Sequence, residues 1–326
     1  MDCPVCESKK NPVLYSDFPG YMNPSNYNIY SCKKCNTQFI STLNISSKIY
    51  KTIYNQVDTP GYQRYYKYAQ KVKNLKNPLL FLSKQEPSYF PTYQFIKNVP
   101  TKLKILEVGC SYGYLTYSLN KTGHDSFGID LSKNAVDFAI NNFGNYYTLS
   151  SIENYKTKDK FDLIIANELI EHLKNPKEFV KICSNLLKEY GHIIITTPNK
   201  DYFPKKSIWR TDLPPVHTLW LSKKSIATLA KKHKLTCNFV NFSEYIGKNE
   251  NILITFISSR IKRFNLPIPV IDENGEPDKA RISRYNSNFR KILRIIFFSY
   301  PIRVLSHHIH YFINKNSPTI GAILTK

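Results

Sequence analysis

Four residues that could hold a nucleotide-like ligand lie in one stretch of the chain. They are Glu107, Gly109 and Gly113, in Ile105-Leu-Glu-Val-Gly-Cys-Ser-Tyr-Gly-Tyr-Leu115, and Asp130, which follows Gly109 by 21 residues. A strand that ends at Gly109 and continues as a helix after Gly113 leaves backbone N–H groups free to meet a ligand above the turn. The pattern therefore predicts a nucleotide-type pocket.

The spacing of these residues indicates which ligand the pocket takes. A dinucleotide-binding loop reads G-x-G-x-x-G, whereas this loop reads E-x-G-x-x-x-G and has a carboxylate near the turn. Glu107 suits a ligand with an ammonium group, and Asp130, at the end of a second strand, could accept two ribose hydroxyls. S-adenosylmethionine carries both groups. The alternative is that the glycines only form a tight turn and Asp130 only caps a helix.

Further segments give the chain a resemblance to the class I S-adenosylmethionine-dependent methyltransferases. Phe161-Asp-Leu-Ile-Ile-Ala-Asn167 resembles the fourth strand of that family, and Glu168-Leu-Ile-Glu-His-Leu-Lys-Asn-Pro176 resembles the E-H-L-x-x-P segment of its small-molecule, ubiquinone-type O-methyltransferase subgroup. Leu187-Lys-Glu-Tyr-Gly-His-Ile-Ile-Ile-Thr-Thr-Pro-Asn199 is similar to the helix end, glycine turn and fifth strand. The match runs over residues 103–243 and again at 320–326. It departs from the family at Ser111, where the central glycine of the loop is usual, and at the bulky Tyr112.

The resemblance implies a set of residues that bind S-adenosylmethionine along the carboxyl ends of four strands. These are Glu107, Gly109, Cys110, Ser111, Gly113, Asp130, Leu131, Ser151, Ile152, Asn167 and Glu168. Ser151 and Ile152 are assigned to the adenine end from their position alone. Asn167 and Glu168 are expected to shape the methyl end of the pocket.

Two histidines are candidates for the catalytic base. Methyl transfer from a sulfonium needs the acceptor, methyl and sulfur in line, and a hydroxyl acceptor also benefits from a base near neutral pKa. His172 follows the fourth strand, and His217 lies in the long loop after the fifth. Each could instead be a capping or orienting group. Aromatic and basic side chains around the same loop line the acceptor site or only pack it: Tyr202, Trp209, Arg210 and Trp220.

Four of the seven cysteines form two C-x-x-C pairs, Cys3 with Cys6 and Cys32 with Cys35, separated by 25 residues. Two such pairs can present four thiolates tetrahedrally to Zn²⁺, which would stabilise a segment of about 40 residues that has little core of its own. Disulfides are the competing interpretation, which the lack of an export signal disfavours. The remaining cysteines, Cys110, Cys183 and Cys237, fall in apolar contexts typical of small core residues.

The charge of the chain is strongly positive and unevenly spread. The net charge is +22, and residues 101–200 are nearly neutral with 12 basic and 11 acidic side chains, so the excess lies outside the expected cofactor core. Lysine-rich composition alone explains this as well as a polyanionic partner does. Such a partner would be RNA, an anionic membrane surface or a lipid-linked glycan. Without a long apolar run or a leader, we expect a cytoplasmic protein, with the inner membrane face as a further place of peripheral attachment.

The alternation of strands and helices from residue 104 predicts an α/β, doubly wound, Rossmann-like sheet. The resemblance implies seven strands with the last antiparallel, for which 319–325 is the segment that fits. The predicted organisation is a zinc ribbon (1–40), a helical lid (41–100), a methyltransferase core (101–243 with 319–326) and a basic helical insertion (244–318). Within the insertion, residues 289–298 form an amphipathic pattern that suits either packing or a membrane surface.

Three functions remain open from the sequence. The first is an S-adenosylmethionine-dependent methyltransferase acting on a hydroxyl of a small molecule or of a saccharide in glycan biosynthesis. The second is an RNA methyltransferase that uses the ribbon and basic surface, although the place of the Asn-Pro-Pro-Tyr tetrapeptide reads Asn167-Glu-Leu-Ile. The third is a zinc-ribbon adaptor whose methyltransferase fold has lost activity.

Overall fold

The computed structural model describes residues 1–22, 25–41, 49, 63–202, 212–248, 251–254, 257, 270–274, 276, 299–314 and 316–326. The basic amphipathic segment 289–298, Trp209 and Arg210 lie outside these residues. Within the described part of the chain, none of the helices has the length and hydropathy needed to cross a bilayer.

The strands form two sheets. In chain order they are β1 (Val13–Pro19), β2 (Asn26–Ser31), β3 (Gln38–Ile40), β4 (Lys104–Val108), β5 (Asp125–Asp130), β6 (Tyr147–Leu149), β7 (Phe161–Asn167), β8 (Leu187–Pro198), β9 (Leu219–Trp220), β10 (Thr236–Phe239) and β11 (Thr319–Thr325). The larger sheet has seven strands in the order β10-β11-β8-β7-β4-β5-β6, and the smaller has four in the order β1-β2-β3-β9.

The larger sheet confirms the predicted α/β class. Strands β4 to β8 pair in parallel, whereas β11 is antiparallel to β8 and β10, with Ile320 opposite Thr197. The central strands are buried on both faces, which explains their nearly continuous apolar sequences: Leu163 to Ala166 and Ile193 to Ile195 are inaccessible to solvent. The carboxyl ends of the parallel strands therefore meet at one edge, where a ligand binds in sheets of this kind.

The described helices are α1 (Gln63–Val72), α2 (Pro78–Gln85), α3 (Phe90–Ile96), α4 (Tyr114–Lys121), α5 (Lys133–Phe143), α6 (Pro176–Leu186), α7 (Lys223–Lys232) and α8 (Tyr300–Asn314). Short 3-10 turns lie at Pro87–Tyr89, Ile170–His172 and Lys200–Tyr202. Polar caps fix several helix starts: the Ser132 hydroxyl accepts from the Ala135 amide, and Ser222 with Ser225 forms a reciprocal capping box at α7.

The segment before β4 folds onto the larger sheet through aromatic side chains. Tyr68 of α1 packs edge-on against Tyr89 and Tyr114, and the hydroxyls of Tyr89 and Tyr114 lie 2.5 Å apart. Tyr68 also donates to Glu86, which pairs with Arg64. The predicted lid therefore contacts the helix that follows the glycine turn.

Candidate methyl-transfer site

The loop after β4 is tied to Asp130 by backbone hydrogen bonds. The amides of Gly109 and Cys110 donate to the carbonyl of Ile129 at 2.8 and 3.1 Å. The Asp130 carboxylate accepts from the Ser111 amide and from the Ser132 amide, both at 2.8 Å. Burial raises the pKa of Asp130, and the amides of Ser132, Ser111 and Leu131 oppose this by stabilising the charge. The predicted loop and its distant carboxylate thus lie together.

Three alternate positions of this loop adopt left-handed backbone. Gly109 has φ 78°, Ser111 has φ 47° and Gly113 has φ 75°. A Cβ atom at Gly113 would lie 2.5 Å from the Tyr147 ring, so glycine is required there for packing as well as for conformation. Ser111 is the position where the resembling family has glycine, and its left-handed φ is the reason why glycine suits it.

Glu107 is buried beneath the loop. Its Oε2 atom accepts hydrogen bonds from the Thr116 amide at 2.9 Å and from the Thr116 hydroxyl at 2.6 Å. Burial raises the pKa of Glu107 to about 8, against the lowering effect of both Thr116 groups. A buried carboxyl of this kind favours a cationic ligand group, since a nearby positive charge would restore its ionised form.

Two large apolar side chains are exposed where β5 and β6 end. Leu131 is 74% exposed and Leu149 is 50% exposed, next to the carboxyl ends at which the resemblance places the cofactor. Such surface is what a flat aromatic ring such as adenine would cover. Ser150 joins the two strand ends by donating its amide to the Asp130 carbonyl, with Ser151 and the buried Ile152 directly after it.

Asn167 and Glu168 lie at the tip of β7. Asn167 Oδ1 accepts from the Thr196 hydroxyl at 3.1 Å, and the Glu168 amide donates to the Thr196 carbonyl at 3.0 Å. Glu168 has a left-handed φ of 48°, and backbone of this kind is concentrated at functional sites. In the lid, desolvation raises the pKa of Tyr65 to about 12, with the Arg64 charge opposing this shift and the charges of Glu86, Glu168 and Glu171 adding to it.

The two candidate histidines, which are 45 residues apart in sequence, are in contact. The His172 and His217 rings are arranged edge to face with centroids 4.6 Å apart, and His172 Nδ1 lies 2.6 Å from the Val216 carbonyl. The His172 side chain keeps 25% of its exposure, whereas His217 is buried. Desolvation lowers the pKa of His172; desolvation and then the neighbouring His172 lower that of His217 well below its ordinary value. Both imidazoles are therefore neutral at neutral pH.

Glu171 is the site residue that the sequence did not single out. The residue is 1% exposed, and its Oε1 atom lies 4.0 Å from His172 Nε2. Burial, and then the charge of Glu168, raises the pKa of its carboxyl group well above the ordinary range. Ligand atoms of Glu171, His172 and His217 lie within 4.8 Å of one another, so these three could also hold a divalent cation. The sequence spacing Glu168-x-x-Glu171-His172 could have indicated Glu171 as a site residue, because it places two carboxyl groups next to one histidine.

The four N-terminal cysteines form one buried cluster. The Sγ atoms of Cys3 and Cys35 are 3.5 Å apart and those of Cys6 and Cys32 are 3.4 Å apart, and all four cysteines are free. A disulfide needs about 2.05 Å between sulfurs, whereas a tetrahedral zinc site with bonds of about 2.3 Å places them about 3.8 Å apart. Hydrogen bonds from the Cys3 thiol and then the Thr37 hydroxyl lower the pKa of Cys35 to about 5. The donor set fits Zn²⁺.

Tyr202 and Trp220, two of the residues for which the sequence left open whether they line the acceptor site or only pack the loop, pack within the protein. Tyr202 donates its hydroxyl to the Ile252 carbonyl, and Trp220 donates Nε1–H to the Asp212 carbonyl at 3.1 Å. Both side chains are buried. The structure thus supports the packing interpretation for these two residues.

A family model described as a methyltransferase domain matches residues 62–238, more than half of the 326 residues. The chain belongs to this methyltransferase family. Its parallel sheet with one antiparallel strand, the glycine loop and Asp130 agree with that membership, and it is a class I S-adenosylmethionine-dependent methyltransferase.

Curated relatives include several ubiquinone biosynthesis O-methyltransferases. The mitochondrial enzyme of Dictyostelium discoideum is 34% identical over 117 residues, 31% of this chain and 36% of that protein. The Pelagibacter ubique enzyme is 28% identical over 182 residues, 49% of this chain and 75% of that protein. The Coxiella burnetii enzyme is 34% identical over 105 residues and the match covers 44% of its length. The chain thus spans less than half of two of these three relatives.

Solved structures with a similar chain path include two methyltransferases. One is an S-adenosylmethionine-dependent methyltransferase from Archaeoglobus fulgidus, with 14% identity, a TM-score of 0.47 and coverage of 80% of this chain and 99% of that chain. The other is the plantazolicin methyltransferase BpumL in complex with SAH, with 17% identity, a TM-score of 0.43 and coverage of 85% and 95%.

Proposed function

We propose that this methyltransferase transfers the methyl group of S-adenosylmethionine to a hydroxyl of a small molecule or of a saccharide in glycan biosynthesis. The observation that carries the proposal is the neutral His172–His217 pair beside Glu171, next to the carboxyl end of β7. A neutral imidazole can accept the proton of the acceptor hydroxyl, whereas a protonated imidazole could not. The names of the curated relatives, which are O-methyltransferases, agree with a hydroxyl acceptor.

In the proposed mechanism the cofactor supplies an activated methyl group on a sulfonium. Asp130 binds the ribose hydroxyls, Leu131 and Leu149 cover the adenine, and Glu107 balances the ammonium group through the loop. Asn167 and Glu168 border the methyl end. When bound, the cofactor would supply its methyl group to the acceptor oxygen, and His217 or His172 would receive the proton that this oxygen loses.

We further propose that Cys3, Cys6, Cys32 and Cys35 hold a structural Zn²⁺. The burial of all four thiols and the sulfur separations support a closed tetrahedral site without an open coordination position. Metal analysis of the purified full chain should give close to one zinc ion per chain. A Cys6→Ser variant should lose that zinc, whereas Cys237→Ser, outside the cluster, should retain it.

The acceptor class is tested by incubating the protein with a deuterated-methyl donor and cell extract, followed by mass spectrometry of separated fractions. Label in a small-molecule or glycan fraction, lost in His217→Gln, supports the proposal. Label confined to RNA or protein would overturn it. The experiment does not depend on knowing the acceptor beforehand.

An RNA methyltransferase is the second candidate, favoured by the charge distribution. Residues 201–326 carry 21 basic and 8 acidic side chains, whereas the cofactor-binding third of the chain is nearly neutral. RNA binding through these basic side chains would weaken steeply with salt. A salt-sensitive gel shift with total RNA would support this function, and no shift at low salt would exclude it.

A further inference from the structure

The strand that follows His217 belongs to the smaller sheet, whose other three strands lie in residues 1–40. This N-terminal segment, which carries the four clustered cysteines, is called the cysteine ribbon below. β9 is the fourth strand of the smaller sheet and pairs antiparallel with β3, with Gln38 opposite Trp220 and Phe39 opposite Leu219. The Ile40 amide extends this pairing by donating to the Thr218 carbonyl at 3.1 Å. The loop that carries a candidate base is therefore a structural part of the N-terminal ribbon.

The opposite side of the same segment is bound to the turn that carries the other histidine. The Thr218 amide donates to the Glu171 carbonyl at 2.9 Å, and the Thr218 hydroxyl lies 3.1 Å from that oxygen and 3.0 Å from the Leu173 carbonyl. The Val216 carbonyl meets His172 Nδ1 at 2.6 Å. Residues 216–220 thus bridge the ribbon and the Ile170–His172 turn, with His217 in the middle of the bridge.

The cysteine knuckle is anchored to the start of α7, which follows β9 directly. The Cys35 carbonyl accepts from the Ser225 hydroxyl at 3.1 Å and from the Ser222 hydroxyl at 3.3 Å, and the Thr37 hydroxyl donates to Ser225 Oγ at 2.9 Å. All of these groups are buried, so an unsatisfied partner would be costly.

Apolar contacts join the same parts. Ile29 and Ile40 of the ribbon share one core with Leu213, Val216 and Trp220 of the loop. β3 has only three residues and β9 only two, so neither strand would hold its position without this packing and a fixed knuckle.

We propose that the cysteine ribbon is a positioning element of the methyl-transfer site. By completing a sheet with β9, it holds residues 216–220 against the Ile170–His172 turn and keeps the His217 ring facing His172. The catalytic consequence rests on the proposed role of the two histidines, whereas the structural coupling stands independently. Loss of the metal would displace residues 216–220 through their backbone pairing with β3. It would leave the glycine loop after β4 and Asp130 in place.

Hydrogen exchange of the full chain tests the coupling without reference to turnover. Zinc-loaded protein is compared with the same protein after chelator treatment, by mass spectrometry of peptides covering 36–41, 216–221 and, as internal controls, β4 and β5. We expect exchange at 36–41 and 216–221 to quicken by about tenfold or more together, with the controls unchanged and the dissociation constant for S-adenosylhomocysteine within about twofold. Faster exchange at 36–41 alone, with 216–221 still protected, would overturn the proposal.

A single hydroxyl offers a second test that leaves the cysteines intact. Thr218→Val removes the side-chain contacts to the Glu171 and Leu173 carbonyls, and Thr228→Val is a matched control whose hydroxyl bonds only to the Lys224 carbonyl within α7. We expect Thr218→Val to lower kcat by about tenfold at unchanged KM for the donor and unchanged zinc content, and Thr228→Val to change neither. Equal kcat in both variants would contradict the proposal. If exchange at 36–41 and 216–221 quickens together but His217→Gln keeps full turnover, the ribbon does position residues 216–220, and the proposed catalytic role of His217 is wrong.

Discussion

The imidazole of His172 lies edge-on against that of His217, with centroids 4.6 Å apart and ring planes inclined by 77°. Burial keeps both rings neutral, and a proton on one ring would disfavour a second proton on the other, as the further lowering of the His217 pKa by His172 indicates. The pair is therefore in its proton-accepting form at neutral pH and would hold at most one proton, which is the number that a single methyl transfer to a hydroxyl releases; burial makes the pair bind that proton weakly and pass it on.

Replacing His217 should separate chemistry from cofactor binding. His217→Gln is expected to lower kcat by about 10²- to 10⁴-fold, the usual contribution of a general base, with unchanged affinity for S-adenosylhomocysteine. Turnover kinetics and isothermal titration measure the two effects. His233→Gln, at the end of α7, is the matched control and should retain wild-type values. Full turnover of His217→Gln would show that His217 is not the base.

The pH profile of kcat should reflect the low pKa values of the two histidines. Because burial lowers the pKa of both rings below 6.5, the neutral, proton-accepting forms persist as pH falls through 6.5. We expect kcat to stay level with respect to these groups above pH 6.5 and to decline only below it. A profile of kcat between pH 4.5 and 8 measures this. An acidic limb centred at or above 6.5, and lost in His217→Gln, would contradict the predicted environment.

Asp130 should be required for cofactor affinity. In Asp130→Asn one carboxylate oxygen is replaced by an amide group that faces a backbone N–H, so both the loop contact and the proposed ribose contacts weaken. Loss of a charge-assisted hydrogen bond is worth about 1.5–3 kcal/mol, which corresponds to about 10- to 150-fold in affinity for S-adenosylhomocysteine. Isothermal titration checks this. Asp125→Asn, at the other end of β5, should bind normally; unchanged affinity in Asp130→Asn would remove this residue from the site.

Because the pKa of Glu107 is raised in the folded protein, the free energy of unfolding should fall as pH rises. The pKa is about 8 in the folded protein and 4.5 ordinarily, so between these values the unfolded chain loses its proton while the folded protein retains it. Stability from this group is thus fully present below about pH 4.5 and is lost progressively until pH exceeds 8. Glu107→Gln, which cannot ionise, should gain stability over the wild type across that window and weaken donor binding. Urea midpoints without ligand at pH 5 and 8.5 measure the difference, and an equal difference at both pH values would refute it.

Much of the sheet follows from local sequence. The bounds of β7 and β11 agree with those predicted, because short apolar runs between turn residues leave little choice of where each strand begins and ends. Helix α2 begins at Asn77-Pro78, a dipeptide that is also typical of turns. Asn77 accepts from the Leu80 amide and Pro78 occupies the first helical position, so the same dipeptide begins a helix.

The site was only partly predictable for a physical reason. The glycine loop and Asp130 lie on consecutive strand ends, so their proximity follows from the order of the parallel strands. The contact between His172 and His217 depends instead on how a long loop is held by β3, and a two-residue strand such as β9 has no periodic signal. Burial of Glu171 is likewise a tertiary property, since its neighbours in sequence do not determine which face of a short turn points inward.

The pairing of Phe39 with Leu219 also has a consequence for how the chain folds during its synthesis. β3 leaves the ribosome some 180 residues before β9, its partner strand in the smaller sheet. During that interval the inner edge of β3 is open to other chains, and closing so long a loop is slow. If the proposed zinc ion binds the four cysteines at this stage, it would order the segment that contains β3 before β9 has been synthesised.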